Sequence, residues 1–529
     1  MQELLPQPLS TGRSDFAALR LENRIYVDKT HLIHDLCRAS RMVLLTRPRR
    51  FGKSLLLSMM ESLFRFGLRD FQGLRIEGLW NDQTYEVVRL DFSGIKGFEN
   101  LESYEKALQS HIRARFAKAG FSTPDFGETN SFFKQFGHWM AALKPQSLVV
   151  LIDEYDAPLS CLLDEPELLK RVRAQISKFF AVLSENEEKL RFLFATGVLD
   201  LRLRSFSGGE KALLDISLDE HYAALLGFTQ DEIECWFEPY VAEAASALHL
   251  TREELLEALH EHYAGFCFDP RGKAEVYCPW SILNFLERPE EGFRRYWVQS
   301  GGSPSGLRRY LEAAGLLVPE LYRRYSGFEY GSYRIGEEGS VRPDVLLMQA
   351  GYLAIKSSIS HGYLELGYPN KEVSGGMAAL YVDAMLRSAN LLPSGIPFLP
   401  KILAEKPLDK VVAQLNKAAL ALDPLHFPIR NDTSCRAVVE LLLIGAAQMP
   451  ERDVLIHGRS ALEVNAGSTR WCFTFGYCER GCNPIRVLDE VERALTSRQY
   501  GATSHGKTLL RAAVVFSEEE RRFVAWKLL

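Results

Sequence analysis

The chain has 529 residues, of which 47% are hydrophobic, 25% charged and 11% aromatic. At roughly 150 residues per domain this length predicts two or three packed units, and the balance of apolar and charged residues excludes a disordered chain. Acidic residues number 68 and basic residues 63, so the net charge of −5 excludes a polycation that coats nucleic acid through its overall field. Any nucleic-acid contact must therefore be a local patch.

Three features of the sequence predict a cytoplasmic protein. The N-terminal stretch MQELLPQPLSTGRSDF has neither the basic nor the apolar region of a secretory signal. The most apolar long stretch, residues 437–449, contains Glu440 and falls short of the roughly 20 apolar residues of a membrane helix, so it predicts a buried helix. Nine cysteines without regular spacing fit reduced thiols better than a disulfide framework.

The first part of the chain predicts a parallel α/β sheet. Short apolar runs, typical of buried strands, alternate with helical segments and occupy residues 41–46, 87–92, 148–152 and 191–196. Continuous apolar strands that alternate with helices are typical of a parallel sheet covered on both faces. From about Thr229 to Leu286 the pattern becomes helical, and Thr251 with Glu254 predicts a capped helix start. This second part is expected to be a helical subdomain.

The remaining boundaries are marked by changes in pattern. Residues 300–305, SGGSPS, give the clearest hinge signal, and a mixed region follows up to about Pro400. Residues 453–529 contain short strands around one helix, VLDEVERALTSRQ, which predicts a second, smaller α/β unit. The expected domains are a nucleotide-binding domain at 1–230, a helical subdomain at 231–300, a connecting region at 301–400 and an α/β domain at 401–529.

Residues 47–54, RPRRFGKS, follow an apolar strand and open a helix. They fit the phosphate-loop pattern G-x-x-x-x-G-K-[ST], except that Arg47 stands at the first Gly. Such a loop needs a Gly where the chain approaches the phosphates, a Lys for the β- and γ-phosphate oxygens and a hydroxyl for Mg²⁺, and residues 52–54 supply these. A basic surface turn before a helix is the alternative. The residues expected to contact the nucleotide here are Arg50, Phe51, Gly52, Lys53 and Ser54.

A second motif further along the chain favours the nucleotide-site interpretation. Residues 147–156, SLVVLIDEYD, predict a buried strand that ends in acids, which is the Walker B pattern. Asp153 is expected to hold Mg²⁺ together with Ser54, and Glu154 to orient or deprotonate the attacking water, while Lys53 neutralises developing charge. Alone, such acids often only cap a strand. Together with the loop they indicate a nucleotide site, and adjacent Asp and Glu favour hydrolysis over phosphorylation of a small molecule.

Two further groups of polar residues follow the next strand. Thr196 is predicted at the carboxyl edge of the sheet, where ligands bind in open α/β folds, and its hydroxyl is a candidate contact for the γ-phosphate or for water. A purely structural role for Thr196 is the alternative. Arg202 and Arg204 are candidates for a charge-stabilising arginine, but such residues are usually solvated surface, so neither is assigned a role.

Several long stretches resemble the bacterial and archaeal AAA-ATPase-like proteins that carry a C-terminal PD-(D/E)xK nuclease-superfamily domain. The matching stretches are residues 14–30, 44–60, 149–158, 195–198, 216–234, 262–286, 296–302, 351–356 and 366–373. The resemblance implies a P-loop NTPase domain that uses ATP and Mg²⁺, and it tolerates Arg at position 47. Tyr26, Asp28 and Lys29 match a signature of this family whose role the sequence does not reveal.

The C-terminal part resembles the nuclease unit of that family in the order of its elements. The family pattern is G-R-x-D on one strand and E-x-K on the next, where the acids hold a cation and the Lys assists the attacking water. Here Ala461 replaces the Asp, Thr474 the Glu and Gly476 the Lys. Glu463 is a candidate for a migrated metal ligand. We therefore expect a catalytically degenerate nuclease-like domain that is retained for packing or binding.

A cluster of cysteines in the same domain raises the alternative of a zinc site. Cys472, Cys478 and Cys482 lie close together in sequence. Structural zinc sites usually show two tight C-x₂₋₄-C pairs, and only Cys478 and Cys482 approach that spacing. Buried free thiols are therefore favoured.

The sequence as a whole predicts an α/β protein that combines a P-loop NTPase parallel sheet, a helical subdomain and a C-terminal nuclease-like domain. Its expected activity is Mg²⁺-dependent hydrolysis of ATP to ADP and phosphate. One alternative is a nucleotide-gated binding or scaffold module with little turnover, and another is a DNA nuclease with rearranged ligands, which Glu463→Ala would inactivate. Nucleic acid is implied as a partner by family analogy alone, a homo-oligomer is left open, and no membrane partner is expected.

Overall fold

The computed structural model describes residues 7–122, 129–200, 213–301, 342–359, 363–377, 399–405, 407–422, 424, 428–445, 450–456, 459–466, 469–496 and 508–529. Within these residues the chain forms two compact units, the first extending to Val373 and the second beginning at Ser374. Among the described helices we find none whose length and hydropathy suit a membrane span.

The first unit is built on a five-stranded sheet in which every pairing is parallel. Its strands are β1 (Met42–Thr46), β2 (Glu86–Asp91), β3 (Leu148–Asp153), β4 (Leu190–Gly197) and β5 (Leu214–Asp215). They follow the order β2-β3-β4-β1-β5. Strands β1 and β3 are buried along their whole length, as expected for inner strands covered on both faces. The predicted parallel α/β sheet is confirmed, whereas the two-residue strand β5 was not predicted.

Helices precede and connect these strands. They are α1 (Phe16–Leu21), α2 (Thr30–Ala39), α3 (Lys53–Phe66), α4 (Leu101–Phe116), α5 (Thr129–Ala142), α6 (Ala157–Ser160) and α7 (Pro166–Glu185). Helix α3 follows β1 after a six-residue loop and buries Leu56, Met60 and Leu63, which recur at the spacing of one helix face. It packs on β2 and β3. The first turn of α3 therefore lies at the carboxyl edge of the sheet, beside the end of β3.

A helical subdomain follows β5. Its elements are α8 (Gln230–Trp236), α9 (Glu238–Leu248), α10 (Arg252–Tyr263), β6 (Phe266–Cys267), β7 (Glu275–Val276), α11 (Pro279–Glu287) and α12 (Tyr296–Gln299). Thr251 and Glu254 bond each other's backbone N–H at the start of α10, so the predicted capped start is confirmed. The first unit ends with α13 (Pro343–Ala350) and the antiparallel hairpin of β8 (Ala354–Ile359) and β9 (Tyr363–Gly367).

The second unit is a five-stranded sheet with helices. In chain order its elements are α14 (Leu399–Glu405), α15 (Leu408–Ala421), α16 (Asp432–Gly445), β10 (Pro450–Ile456), β11 (Arg459–Ala466), β12 (Thr469–Cys478), α17 (Pro484–Thr496), β13 (Thr508–Ser517) and β14 (Arg522–Leu528). Strands are adjacent in chain order. Only β12 and β13 pair in parallel, and α17 connects them. The apolar stretch expected to be a buried helix forms part of α16 as far as Gly445, and residues 446–449 lie outside the described residues.

Candidate functional site

The loop between β1 and α3 has a backbone shaped to receive an anion. Gly52 immediately precedes α3 with a φ of +92°, a left-handed conformation that glycine adopts without strain. The first N–H groups of a helix have no partner within the helix, and the helix dipole adds positive charge at the same end. Lys53 and Ser54 occupy the first turn of α3. This end of α3 therefore suits a phosphate group.

Lys53 is buried and is held over the loop by main-chain carbonyls. Its Nζ donates hydrogen bonds to Arg47 O at 3.0 Å and to Pro48 O at 2.9 Å. Burial lowers the pKa of Lys53, while the carboxylates of Asp153, Asp156 and Glu154 act in the opposite direction. A buried ammonium is costly unless it is paired, so these contacts fix its position.

Ser54 and the acids at the end of β3 form a connected group. Ser54 Oγ donates a hydrogen bond to Asp153 Oδ2 at 2.7 Å, and Glu154 N donates to Asp153 Oδ1 at 3.1 Å. Hydroxyl and carboxylate oxygens are the hard ligands that Mg²⁺ prefers. Ser54 and Asp153 therefore fit a magnesium ion by the chemistry of their donor atoms.

Glu154 lies beside this pair in an unusual conformation. Its φ is +48°, in the left-handed region that residues other than glycine rarely adopt and that clusters at functional sites. Burial raises the pKa of its carboxyl group, neighbouring Asp156 and Asp153 raise it further, and Lys53 lowers it. A carboxylate whose pKa is moved towards neutrality accepts a proton more readily at physiological pH.

A cavity of about 610 Å³ opens beside the loop. Its volume lies within the range of small-molecule sites. The predicted site residues that line it are Arg50, Phe51, Gly52, Lys53, Ser54 and Glu154. Apolar side chains from the N-terminal segment, the turn before α8 and the helical subdomain line the rest, among them Ile25, Leu226, Phe237 and Leu283. The cavity thus combines a cationic, hydrogen-bonding end with an apolar end.

Thr196 is fully buried in β4. Its Oγ1 donates a hydrogen bond to Leu45 O on the adjacent strand β1 at 2.7 Å. This bond gives the hydroxyl a structural role, because it joins two adjacent strands of the sheet. A contact between Thr196 and the γ-phosphate stays a prediction. Arg202 and Arg204 lie outside the described residues.

Arg47, which departs from the usual phosphate-loop pattern, anchors the loop. Its guanidinium is buried and donates to the carbonyl oxygens of Thr46, Ser217 and Tyr222 at 2.9, 2.6 and 3.2 Å. Its Cζ also lies 4.1 Å from the ring centroid of Phe268. Burial lowers the pKa of Arg47, although a guanidinium stays charged in proteins. Arginine at this position therefore ties the loop to the chain that follows β5.

Asp156 is a site residue that the sequence did not single out. It is buried, and its two carboxylate oxygens accept the N–H groups of Val198 and Leu199 at 3.1 and 2.9 Å. A Cβ at Gly197 would lie 2.3 Å from Asp156 Oδ1, so this approach requires glycine. Asp156 fixes the turn after β4 beside Glu154. The sequence signal that could have identified it is its position as the third acid of the stretch IDEYD at the end of β3.

The outer side of the loop is covered by Trp297. Its Nε1 donates to Arg49 O at 3.0 Å, and its main-chain N donates to Glu372 Oε1 at 2.6 Å. Ser281 Oγ donates to the other oxygen of Glu372 at 2.7 Å. Burial raises the pKa of Glu372 to about 7, against the lowering effect of Arg295. Glu372 thus supports the loop through Trp297.

Glu372→Gln is expected to remove a pH-dependent loss of stability. Because the pKa rises from 4.5 in the unfolded chain to about 7 in the folded protein, the folded state binds this proton more tightly, and stability falls as pH rises through that window. At 1.36 kcal/mol per pKa unit the full effect is about 3 kcal/mol. Thermal unfolding should therefore give a melting temperature for Glu372→Gln that increases relative to wild type between pH 5 and pH 8.

The exposed Glu257 on α10 offers the matched control. The pH-dependent increase for Glu372→Gln should exceed any change that Glu257→Gln produces over the same pH range. A constant difference for Glu372→Gln would show that this carboxyl group ionises normally in the folded protein.

In the second unit, α17 packs on the sheet face that carries the residues at the positions predicted to correspond to the nuclease pattern. Ala461 and Thr474 are paired across β11 and β12, and both are fully buried. A Cβ at Gly476 would lie 2.8 Å from Val491 Cγ2 and 2.9 Å from Val487 Cγ1. The packing of α17 therefore leaves no space for a lysine side chain at Gly476.

The remaining metal candidates of this unit do not converge. Glu463 is buried and forms an ion pair with Arg470. Cys472 and Cys478 are buried, and Cys482 is exposed. The described part of the chain contains no group of three or more His, Cys, Asp or Glu residues placed to hold a metal ion.

Comparison with known proteins bears on the first unit. Residues 10–207 match the family described as Predicted AAA-ATPase, and this range contains both nucleotide-site motifs. Over 376 residues the chain is 29% identical to a protein of Azotobacter chroococcum mcd 1 described as "Uncharacterized protein in vnfD 5'region". That match covers 70% of this chain and 69% of the relative. The resemblance drawn from the N-terminal motifs is confirmed, and the nuclease resemblance stays a prediction.

Proposed function

Because residues 10–207 are an AAA-ATPase-like domain, we propose that this protein binds MgATP in the cavity beside the loop and hydrolyses it to ADP and phosphate. The observation that carries the proposal is the 2.7 Å bond between Ser54 Oγ and Asp153 Oδ2. It joins the hydroxyl of the phosphate loop to the acid at the end of β3, the two donors expected around Mg²⁺.

Each residue of the site has a role in binding. The N–H groups at the start of α3 and the Lys53 ammonium bind the β- and γ-phosphate oxygens. Ser54 and Asp153 hold Mg²⁺, which when bound neutralises charge on these oxygens. The apolar end of the cavity accepts the less polar part of the nucleotide. Arg47 and Trp297 keep the loop in place from its two sides.

Glu154 is the residue that acts on water. Its carboxylate accepts a proton from the water whose oxygen forms a bond to the γ-phosphorus. The bond between that phosphorus and the β,γ-bridging oxygen breaks, and its electron pair leaves with ADP. Lys53 stabilises the charge that develops during this transfer, because it is already positioned before the reaction.

The second unit is proposed to be a nuclease-like domain without a catalytic metal site. Three features support this proposal: its sheet with a helical crossover between β12 and β13, the uncharged residues at positions 461, 474 and 476, and the packing of Val487 and Val491 against Gly476. Its role is then binding, with nucleic acid as the partner that family analogy suggests.

Phosphate release from ATP tests the proposal directly. The purified full chain is expected to release phosphate in Mg²⁺ and to stop when EDTA removes the metal. Without the cation, the Asp153 carboxylate repels the triphosphate and the negative charge on the phosphate oxygens is not neutralised. Supercoiled plasmid included in parallel reactions is expected to stay uncut with Mg²⁺ or Mn²⁺. ATP binding without turnover under any condition would favour the nucleotide-gated binding module, and metal-dependent cutting would favour the rearranged nuclease.

A further inference from the structure

Residues 25–29, here called the strap, lie between α1 and α2 and contact two parts of the first unit. Ile25 and Val27 are buried in the hydrophobic core of the helical subdomain. Between them, the Tyr26 hydroxyl donates a hydrogen bond to Met59 Sδ of α3 at 3.0 Å. Successive side chains thus alternate between the helical subdomain and the helix that follows the phosphate loop. The strap joins the two.

Asp28 fixes the strap to the start of α2 and to the segment between α3 and β2. Asp28 Oδ1 accepts hydrogen bonds from the N–H and hydroxyl of Thr30 at 2.9 and 2.7 Å, at the start of α2. Asp28 Oδ2 accepts the N–H of Arg75 at 2.7 Å. These bonds tie the backbone around Asp28 and the next residue, Lys29, to the start of α2 and to the segment between α3 and β2.

Lys29 fixes the other side, where the chain enters the helical subdomain. Its buried Nζ donates to the carbonyl oxygens of Ala224 and Gly227 at 2.6 and 2.7 Å. It also forms an ion pair with Glu232 Oε2 at 2.9 Å. The same oxygen of Glu232 accepts the N–H of Thr229 at 2.9 Å in the capping box of α8. Lys29 therefore binds the turn before α8 and the first turn of α8 together.

The strap and this turn both line the nucleotide cavity. Tyr26, Val27 and Lys29 form part of its wall, as do residues 225–228, and residues 52–54 of the phosphate loop line it as well. A ligand in the cavity therefore contacts segments on both sides of the Lys29–Glu232 pair. Movement at this pair changes the space that the ligand occupies.

We propose that Lys29 is a positioning residue, which forms with Glu232 a latch that holds the helical subdomain (residues 230–299) against the phosphate-loop side and so sets the shape of the cavity. This assigns a role to the Tyr26, Asp28 and Lys29 signature. The inference rests on the proposed function for the identity of the ligand. Coupling between ligand and subdomain is reciprocal, so breaking the latch weakens binding, and binding steadies the subdomain.

Calorimetric binding of MgADP by the full chain tests the latch without turnover. Lys29→Met and Glu232→Gln are each expected to raise Kd about tenfold, since a subdomain that is no longer latched must be ordered when the ligand binds. Glutamine at 232 retains an acceptor for Thr229 N, so the α8 cap is preserved. The double variant should be about as weak as Lys29→Met alone, because the change at 232 acts through the ion pair that Lys29→Met has already removed. Turnover at saturating MgATP should stay within about twofold, as expected when KM rather than kcat carries the effect.

Lys356 provides the matched control. It is a largely buried lysine that donates to the carbonyl oxygens of Gly265 and Pro369 at 3.4 and 3.3 Å, but its side chain is not among those lining the cavity. Lys356→Met should leave Kd for MgADP unchanged. An equal weakening by Lys356→Met would attribute the effect to general loss of a buried lysine and overturn the latch.

Two other results would also overturn it. If Lys29→Met weakens binding while Glu232→Gln does not, Lys29 acts by direct contact with the nucleotide. If the two losses multiply in the double variant, the residues act independently. If Lys29→Met does not fold, the Kd of Glu232→Gln for MgADP is the test. An unchanged Kd in that variant contradicts the latch.

Hydrogen exchange without nucleotide separates this inference from the proposed function. Amides of α8, α9 and α10 are expected to exchange faster in Lys29→Met than in wild type, whereas those of β3 and α7 keep their rates. If wild type binds no nucleotide, the proposed function fails, but this comparison still tests the latch. Unchanged exchange throughout α8–α10 would refute it.

Discussion

Lys53→Ala is expected to abolish both nucleotide binding and phosphate release. The Lys53 ammonium is the buried cation of the loop, and two carbonyl oxygens hold it in place before any ligand arrives. Removing a preorganised donor that faces developing charge typically costs roughly 10²–10³ in rate, and here the same group also binds the ground-state phosphates. We therefore expect turnover to fall below detection in a phosphate-release assay, and calorimetric titration with MgADP to show no saturable heat.

The control is the same change at an exposed lysine of the first unit. Lys170 lies on α7 with its side chain exposed, and Lys170→Ala should bind MgADP and release phosphate as wild type does. Near-normal turnover in a folded Lys53→Ala protein would mean that the catalytic site lies elsewhere.

Glu154→Gln is expected to separate hydrolysis from binding. Glutamine keeps the size of the side chain but cannot accept the proton of the attacking water, and loss of a general base typically costs roughly 10²–10⁴ in rate. MgADP should still bind with an affinity within about threefold of wild type, because the interactions with Lys53 and Ser54 remain. Single-turnover phosphate release measures the rate of hydrolysis, and calorimetry with MgADP measures the affinity for the nucleotide.

Dependence on pH adds a second readout for Glu154. Because burial raises the pKa of this carboxyl group, the active carboxylate form increases as pH rises, so wild-type kcat should increase with pH over the range in which Glu154 ionises. Glu154→Gln should lose that dependence, whereas Glu185→Gln, at an exposed position on α7, should retain it. A Glu154→Gln protein with wild-type kcat would exclude Glu154 as the base.

Local patterns made the nucleotide site predictable. The strand, loop and helix around residues 47–54 are determined by residues that are close together in the sequence. The same is true of the strand that ends at Asp153. Their proximity followed from the parallel sheet, whose carboxyl ends share one edge. The structure brings Ser54 and Asp153 within hydrogen-bond distance.

Residues with distant partners were not predictable in the same way. The role of Arg47 could not be read from the motif, because two of its three carbonyl acceptors lie 170 or more residues further along the chain. The partners of Lys29 are similarly remote, at Ala224, Gly227 and Glu232. Strand β5 was not predicted, because a strand of two residues is too short to show a periodic pattern of apolar and polar side chains. Tertiary contacts of this kind leave no local signal in a single sequence.

The attachment of Trp297 to the phosphate loop has a consequence for biosynthesis. Trp297, which donates to Arg49 O, lies 248 positions downstream of it, and Glu372 follows later still. At a ribosomal rate of roughly 5–20 residues per second, about 12–50 seconds separate the emergence of the loop from that of Trp297. During this interval the nascent loop lacks its outer cover. A competent nucleotide pocket is therefore a late product of translation, completed well after the helix and strands that bear its chemistry have left the ribosome.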